Sequence, residues 1–310
     1  MSPAKSSSAK GYLYVIIAAL MWASSGTAGK ALFDAGMSPF DLVQIRVTLA
    51  SAIIFLVFLI VSRDLLQIRP RDIPFFLFLG GVVMAVVTGS YLYTISKIQV
   101  AAAILIQYLA PIFVAIFAMV FWKEHPTFLK ITALFLAFGG CFLVVGGYNF
   151  ALLQMNVLGI LGGLTSAITF AGYSLLGERA MHRYRPWTVI FYALAFAALT
   201  WHVVYSPFTY LTAGYSLAQW GWIFYISIVG TILPFGLFFA GINYIRSTRA
   251  SITATLEPIF AGFLAFVLLG ERLLLLQIIG GSMVIVAIVL LQLQQEHDEL
   301  APALIRTQKD

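Results

Sequence analysis

The sequence predicts an all-α polytopic membrane protein whose ten transmembrane helices form two inverted five-helix repeats around a central cavity. Three observations lead there. Of 310 residues, 61% are hydrophobic and 10% charged, and the mean hydropathy is +0.97; a soluble domain is nearer half apolar and a quarter charged. About ten spans of roughly 20 residues with short loops use up the chain and leave no room for a soluble domain. Finally, Leu109, Pro111, Ile112, Phe113, Ala118, Val120 and Glu124 recur as Leu256, Pro258, Ile259, Phe260, Ala265, Val267 and Glu271, an offset of 147 positions.

A tail at 1–10 precedes the first repeat, 11–147, with spans at 11–33, 40–62, 73–95, 99–121 and 126–147. Lys5 and Lys10 before an apolar run, with Ala23-Ser24-Ser25 inside it, resemble a secretory signal. The apolar run continues past that point and further spans follow, so an uncleaved first helix is expected. The second repeat, 155–294, has spans at 155–177, 186–206, 218–242, 249–269 and 273–294, and a tail at 295–310 follows. Pro39 and Pro186 begin the second helix of each half. Gly11, Ala19 and Ala23 fall on Gly159, Ala167 and Ala171 at an offset of 148. Gly159 and Gly163 permit close helix approach, either within the chain or between two copies.

The charge balance sets the orientation. Fourteen of the 18 Lys and Arg residues lie in the tails and in the loops at 63–72, 122–130, 178–185 and 243–249. Only Lys30, Arg46, Lys97 and Arg272 fall towards the other face. The positive-inside rule then places both termini in the cytoplasm of a bacterial inner membrane. Five spans per half is an odd number, so the second half enters the bilayer upside down, as in secondary transporters with a midplane site. The net charge of +6 is spread over these loops, so it reads as a topology signal and predicts no nucleic-acid partner.

Soluble-enzyme chemistry is missing. Gly26-Thr27-Ala28-Gly29-Lys30 lacks the full phosphate-loop pattern and has no strand before it. His125, His182, His202 and His297 are scattered without metal spacing, and Cys141 is alone, which excludes an intramolecular disulfide and a Cys-based metal site. No enzyme activity, catalytic residue, metal or cofactor is expected, and no ATP-driven pump.

What remains is polar groups in apolar helices. Most Ser and Thr residues there can bond the carbonyl one turn back and need mean only packing. Trp201, Trp220 and Trp222 read as interface anchors. An acid at the depth of Glu257 costs about 2.5–3.5 kcal/mol on insertion scales, so something other than lipid should face it. Pro258 has no amide to donate, which leaves carbonyls near Ala254 short of a partner and favours a break; Pro111 does the same in the first half. At helical spacing Thr253 shares a face with Glu257. Glu257 could meet a substrate amine, carry a coupling proton, or pair structurally with Arg46 or Lys30. Arg46 could snorkel or attract an anionic group, and the structural role is favoured. Glu124 and Glu271, at helix ends where the macrodipole disfavours an acid, read as structural.

The segments MWASSGTAGKALFDAGMSPFDLVQIR, PIFVAIFAMVFWKE and LPFGLFFAGINYIRSTRASITATLEPIFAGFLAFVLLGERL resemble the EamA family of the drug/metabolite transporter superfamily, and the likeness spans nearly the whole chain. The resemblance implies two inverted repeats, in which helices one, three, four, six, eight and nine surround a cavity. It also implies export of small metabolites, often amino acids, by alternating access without ATP. On that footing Trp22, Ser25, Tyr91, Gln107, Tyr108, Tyr173, Thr253 and Glu257 are expected to line a substrate site, with Pro111 and Pro258 as helix breaks that gate it. The expected partners are a small-molecule substrate, an amino acid or related metabolite, with protons as a candidate coupling ion, and the lipid bilayer. Alternatives are export of cationic drugs through Glu257 and the aromatic rings, or a receptor or scaffold that transports nothing.

Overall fold

Local signals set most helix ends in the computed structural model. It describes residues 3–98, 100–123, 127–148, 156–269, 274–293 and 301–307, all of whose secondary structure is helical. Helix α1 is Pro3–Asp34 and α2 is Pro39–Val61. Ser38 caps α2 by accepting from the Phe40 amide, and Pro39 and Asp41 occupy its first turn, where a missing amide and a negative charge are both favoured. Helix α3 runs over 73–97 and is π-helical at Leu77–Met84. Helices α4 (Val100–Gln107) and α5 (Ala110–Trp122) are two pieces of one predicted span, parted at Tyr108 and Leu109. Helix α6, Phe128–Val145, starts at a Thr127 cap and ends at Gly146, whose φ of 80° is the left-handed value that glycine tolerates.

The second half follows the same plan. Asn156 caps α7 (Val157–Met181), and α8 is Pro186–Val204. Helix α9, Leu217–Ala254, opens with a Ser216–Gln219 capping box and is π-helical at Ile228–Ile232. Helix α10 (Glu257–Leu269) resumes after a break at Thr255 and Leu256, followed by α11 (Leu275–Leu293) and the short α12 (Pro302–Thr307). Among the described residues eight helices are long and apolar enough to cross a membrane, against ten predicted. The difference lies at the C-terminal end. Predicted span 249–269 is cut at Thr255-Leu256, and the last is a shorter apolar helix over Leu275–Leu291. The protein is a polytopic, all-helical membrane protein.

The halves interlock through equivalent close approaches. A Cβ on Gly11 would lie 2.7 Å from Ile245 Cγ2, and one on Gly159 would lie 2.6 Å from Ile98 Cγ2. Ile98 and Ile245 are themselves 147 positions apart. So α1 packs on α9 as α7 packs on α3, and Gly163, pressed against Ile106, makes its approach within the chain. At the crossing of α6 and α11, a Cβ on Gly140 or Gly280 would come within 2.6 Å of the other's carbonyl oxygen. Trp201, expected as an interface anchor, instead packs edge-on over Gly89 and donates to the Ala85 carbonyl at 3.2 Å.

One end of the bundle is tied by a buried acid. Arg246 interrupts α9 with φ 64° and ψ 167°, a conformation that non-glycine residues hold only at a cost of about 1–3 kcal/mol. Glu178, 1% exposed, holds it there. Its carboxylate accepts from Arg246 Nε at 3.0 Å, from the Ser247 amide at 2.7 Å and from the Ser247 hydroxyl at 2.6 Å. The Arg246 guanidinium also lies 5.6 Å from the Trp122 ring, so α5 joins the cluster. Beside it, Arg306 of α12 donates to the carbonyls of Met181 and Tyr184 and to Asn243 Oδ1 at 2.7 Å. In the neighbouring loop Tyr184 donates to Asp72 at 2.5 Å, and burial together with that bond pushes its phenol above the usual range. Glu124, Glu271, His125 and His297 lie outside the described residues.

Candidate functional site

Pro258 dictates the centre of the site. Because it cannot donate, the carbonyl of Ala254 four residues earlier loses its helical partner, and the chain turns at Thr255 and Leu256 before α10 begins. The freed carbonyls find partners on other helices. Tyr108 donates to the Ala254 carbonyl at 2.8 Å, and the Cys141 thiol reaches the Thr255 carbonyl at 3.6 Å. Non-helical backbone at membrane depth persists only where such bonds or a cavity receive it. Tyr108 itself stands at the matching break before Pro111. The two broken helices thus meet at their breaks.

The same hydroxyl lies 2.8 Å from Glu257 Oε2. Glu257 is the first residue of α10, so the positive end of that half-helix falls on its carboxylate. No ion pair joins Glu257 to Arg46 among the described residues, and the Lys30 side chain lies outside them. The architectural pairing with Arg46 is therefore absent.

Around this centre is an open-mouthed cavity lined from both halves of the chain. Trp22, Ser25, Tyr91, Gln107, Tyr108 and Glu257 line it, together with Pro111, expected only as a helix break. Trp22 stands edge-on to Phe235 with ring centroids 5.2 Å apart, which fixes one wall. Ser25 bonds the Trp22 carbonyl at 3.1 Å and contacts the face of Gly230, where any Cβ would come within 2.9 Å of it.

Two residues expected to line the cavity do not. Tyr173 is wholly buried and stacks on Phe239 with centroids 4.5 Å apart; Phe170, nearly one turn earlier, takes the wall instead. Thr253 is also fully buried and bonds the Arg249 carbonyl at 2.8 Å. Its predicted shared face with Glu257 assumed a continuous helix, and the turn at Thr255 resets the phase so that Ser251 and Ala254 face the cavity. Pro258 makes the break but stands behind the wall.

Sequence reasoning passed over several lining residues. Ile104, Phe235 and Gly230 carry no local signal beyond helical periodicity, and Thr88 is one of many span hydroxyls that need mean only packing. Arg46 lines the cavity rather than snorkelling: it is 6% exposed on α2. Glu178 was missed altogether, although it is an acid at the C-terminal end of a span, the unfavourable placement that drew attention to Glu124 and Glu271.

Comparison with known proteins places this architecture. A model of the EamA-like transporter family matches twice, over residues 9–146 and 157–293. The chain is 29% identical to the uncharacterized inner membrane transporter YicL of Salmonella typhimurium, over 94% of this chain and 98% of that protein. It is 24% identical to the pseudopaline exporter CntI of Pseudomonas aeruginosa, over 76% of this chain and 81% of the relative. A protein of known crystal structure superposes on 92% of this chain and 97% of its own, with a TM-score of 0.71 at 17% identity; this is a likeness of fold alone. Matched over both halves, the chain is a membrane transporter and belongs to the EamA-like transporter family.

Proposed function

We propose that the protein exports small amino-acid-like metabolites across a bacterial inner membrane by alternating access, with both termini in the cytoplasm. The observation that carries this reading is the Tyr108–Glu257 contact, made where the two proline-broken helices meet inside the cavity. A carboxylate at that depth, reached by one neutral hydroxyl and lining the cavity, is suited to receive a substrate amine or a coupling proton. The two repeats, 11–147 and 155–294, would lie inverted and rock about this point, with Pro111 and Pro258 as the places where helix pieces reorient. That one relative is an inner membrane transporter and another a pseudopaline exporter supports membrane and direction.

A second reading, export of organic cations, draws on the same carboxylate together with the Trp22 and Tyr91 rings. Counterflow in proteoliposomes separates the two. Vesicles preloaded with unlabelled amino acids or cationic dyes receive labelled tracer outside, with no ion gradient. Trans-acceleration by amino acids supports the first reading; acceleration by dyes alone supports the second. Glu257→Gln should abolish coupling to a pH gradient while exchange survives if Glu257 carries the proton. It should abolish exchange if Glu257 binds the amine. No acceleration by any solute, from folded protein, would refute transport of both classes.

A further inference from the structure

Arg46 presents an electrostatic imbalance that the Tyr108–Glu257 centre does not resolve. It is the eighth residue of α2, about 10 Å along the helix at 1.5 Å per residue. It is more than nine-tenths buried, lines the cavity, and its Nε has no hydrogen-bond partner. No carboxylate among the described residues pairs with it. The acid nearest in sequence, Asp41, is held by the Tyr215 hydroxyl at 2.5 Å. A buried guanidinium without a counter-charge is costly, and such charges are ordinarily paired. On the cavity's opposite chemical side, Glu257 has only a neutral hydroxyl, and the buried Gln107 Oε1 has no donor. Arg46, Tyr91 and Glu257 line the same cavity, and no ion pair joins the two charged groups.

We infer that Arg46 is a specificity-determining residue that receives the carboxylate of a zwitterionic substrate, with the amine of the same molecule at Glu257 and Gln107. This rests on the cavity being the substrate site, as proposed above. The chamber holds one basic and one acidic group, and neither has a counter-charge among the described residues. A solute with both charges satisfies both; an amine alone leaves Arg46 unpaired, and a carboxylate alone leaves Glu257 unpaired. A guanidinium suits this role because its fork matches a carboxylate in two bonds. The chamber thereby selects amino acids with free amine and carboxylate and rejects the organic cations that Glu257 alone would admit.

Two measurements on the whole protein test this: ligand-dependent thermal stabilisation in detergent, which reads binding, and proteoliposome counterflow, which reads transport. The probes are the common amino acids and, for each that binds, its amide (amine only) and its N-acetyl form (carboxylate only). The wild type should prefer the amino acid over both derivatives by roughly 30-fold or more, as expected when one partner of a desolvated charge pair is lost. Arg46→Gln should erase the preference over the amide, and Arg46→Lys should keep part of it. If Arg46→Gln fails to fold, the derivatives on the wild type and Arg46→Lys still decide. Equal affinity for amino acid and amide, or unchanged preference in Arg46→Gln, overturns the inference and leaves transport standing. Arg46-dependent binding without counterflow upholds the inference and removes the transport reading. Silence towards every amino acid in both assays, alongside exchange of dyes, refutes Arg46 as a carboxylate receptor; silence towards everything refutes both.

Discussion

Replacing Tyr108 with Phe removes one oxygen from the centre of the protein and should weaken both its fold and its site. The hydroxyl carries one proton and lies 2.8 Å from two acceptors, the Ala254 carbonyl and Glu257 Oε2. A buried carbonyl left without a donor costs about 1–3 kcal/mol, and a hydrogen bond to a charged group contributes about 1.5–3 kcal/mol. One proton cannot fully serve both acceptors, and the cavity lets water reach part of the gap. The net loss should therefore be about 1–3 kcal/mol, not the sum of the two terms. For a chain of this size that corresponds to a fall in apparent melting temperature of roughly 1.5–5 °C. The assay is thermal unfolding of the detergent-purified protein at a fixed scan rate, for wild type, Tyr108→Phe, Glu257→Ala and the double variant. Because the two residues share a bond, the double variant should lose less than the sum of the singles, by about 1 kcal/mol or more. A melting point within about 1 °C of wild type, or strict additivity, would refute the claim that this hydroxyl repairs the break.

Two further outcomes follow from the packing. Glu178→Ala should be among the most destabilising single changes, at about 3–5 kcal/mol, because it removes the buried acceptor of Arg246 Nε and of the Ser247 amide and hydroxyl; monodisperse protein melting like wild type would contradict this. Gly280→Ala should cost about 1–3 kcal/mol by driving its Cβ into the Gly140 carbonyl, whereas Gly221→Ala, with nothing within 4 Å, should be neutral or slightly stabilising on the same thermal assay.

Much of the centre was legible because proline chemistry is local. A missing amide at 258 orphans the carbonyl at 254 in any helix, so the break could be placed before its partner was known. The matching break at Tyr108 and Leu109 followed from the repeat. Tyr108, Gln107 and Trp22 were found because they sit near those breaks or near span centres. Thr253 was misplaced because azimuth was extrapolated through the break at Thr255, and Tyr173 because nothing local shows which face of the continuous α7 meets the cavity. Arg46 was ambiguous for a related reason: distance along α2 is readable from sequence, but the direction a side chain takes around the axis depends on which neighbours pack there. Glu178 and Arg246 lie 68 positions apart, and nothing local marks the arginine for a left-handed conformation.

The central contact also bears on how such a chain could have arisen from a single ancestral half. Under the offset of 147, Tyr108 corresponds to Thr255, Glu257 to Ala110, and Arg46 to Ala193. Two copies of the first half would bring two arginines and no carboxylate; two copies of the second would bring two carboxylates and no arginine. Each half carries one of these charged groups where the other has alanine. Two identical copies of either half could not rebuild this chamber, which needs both halves of the chain.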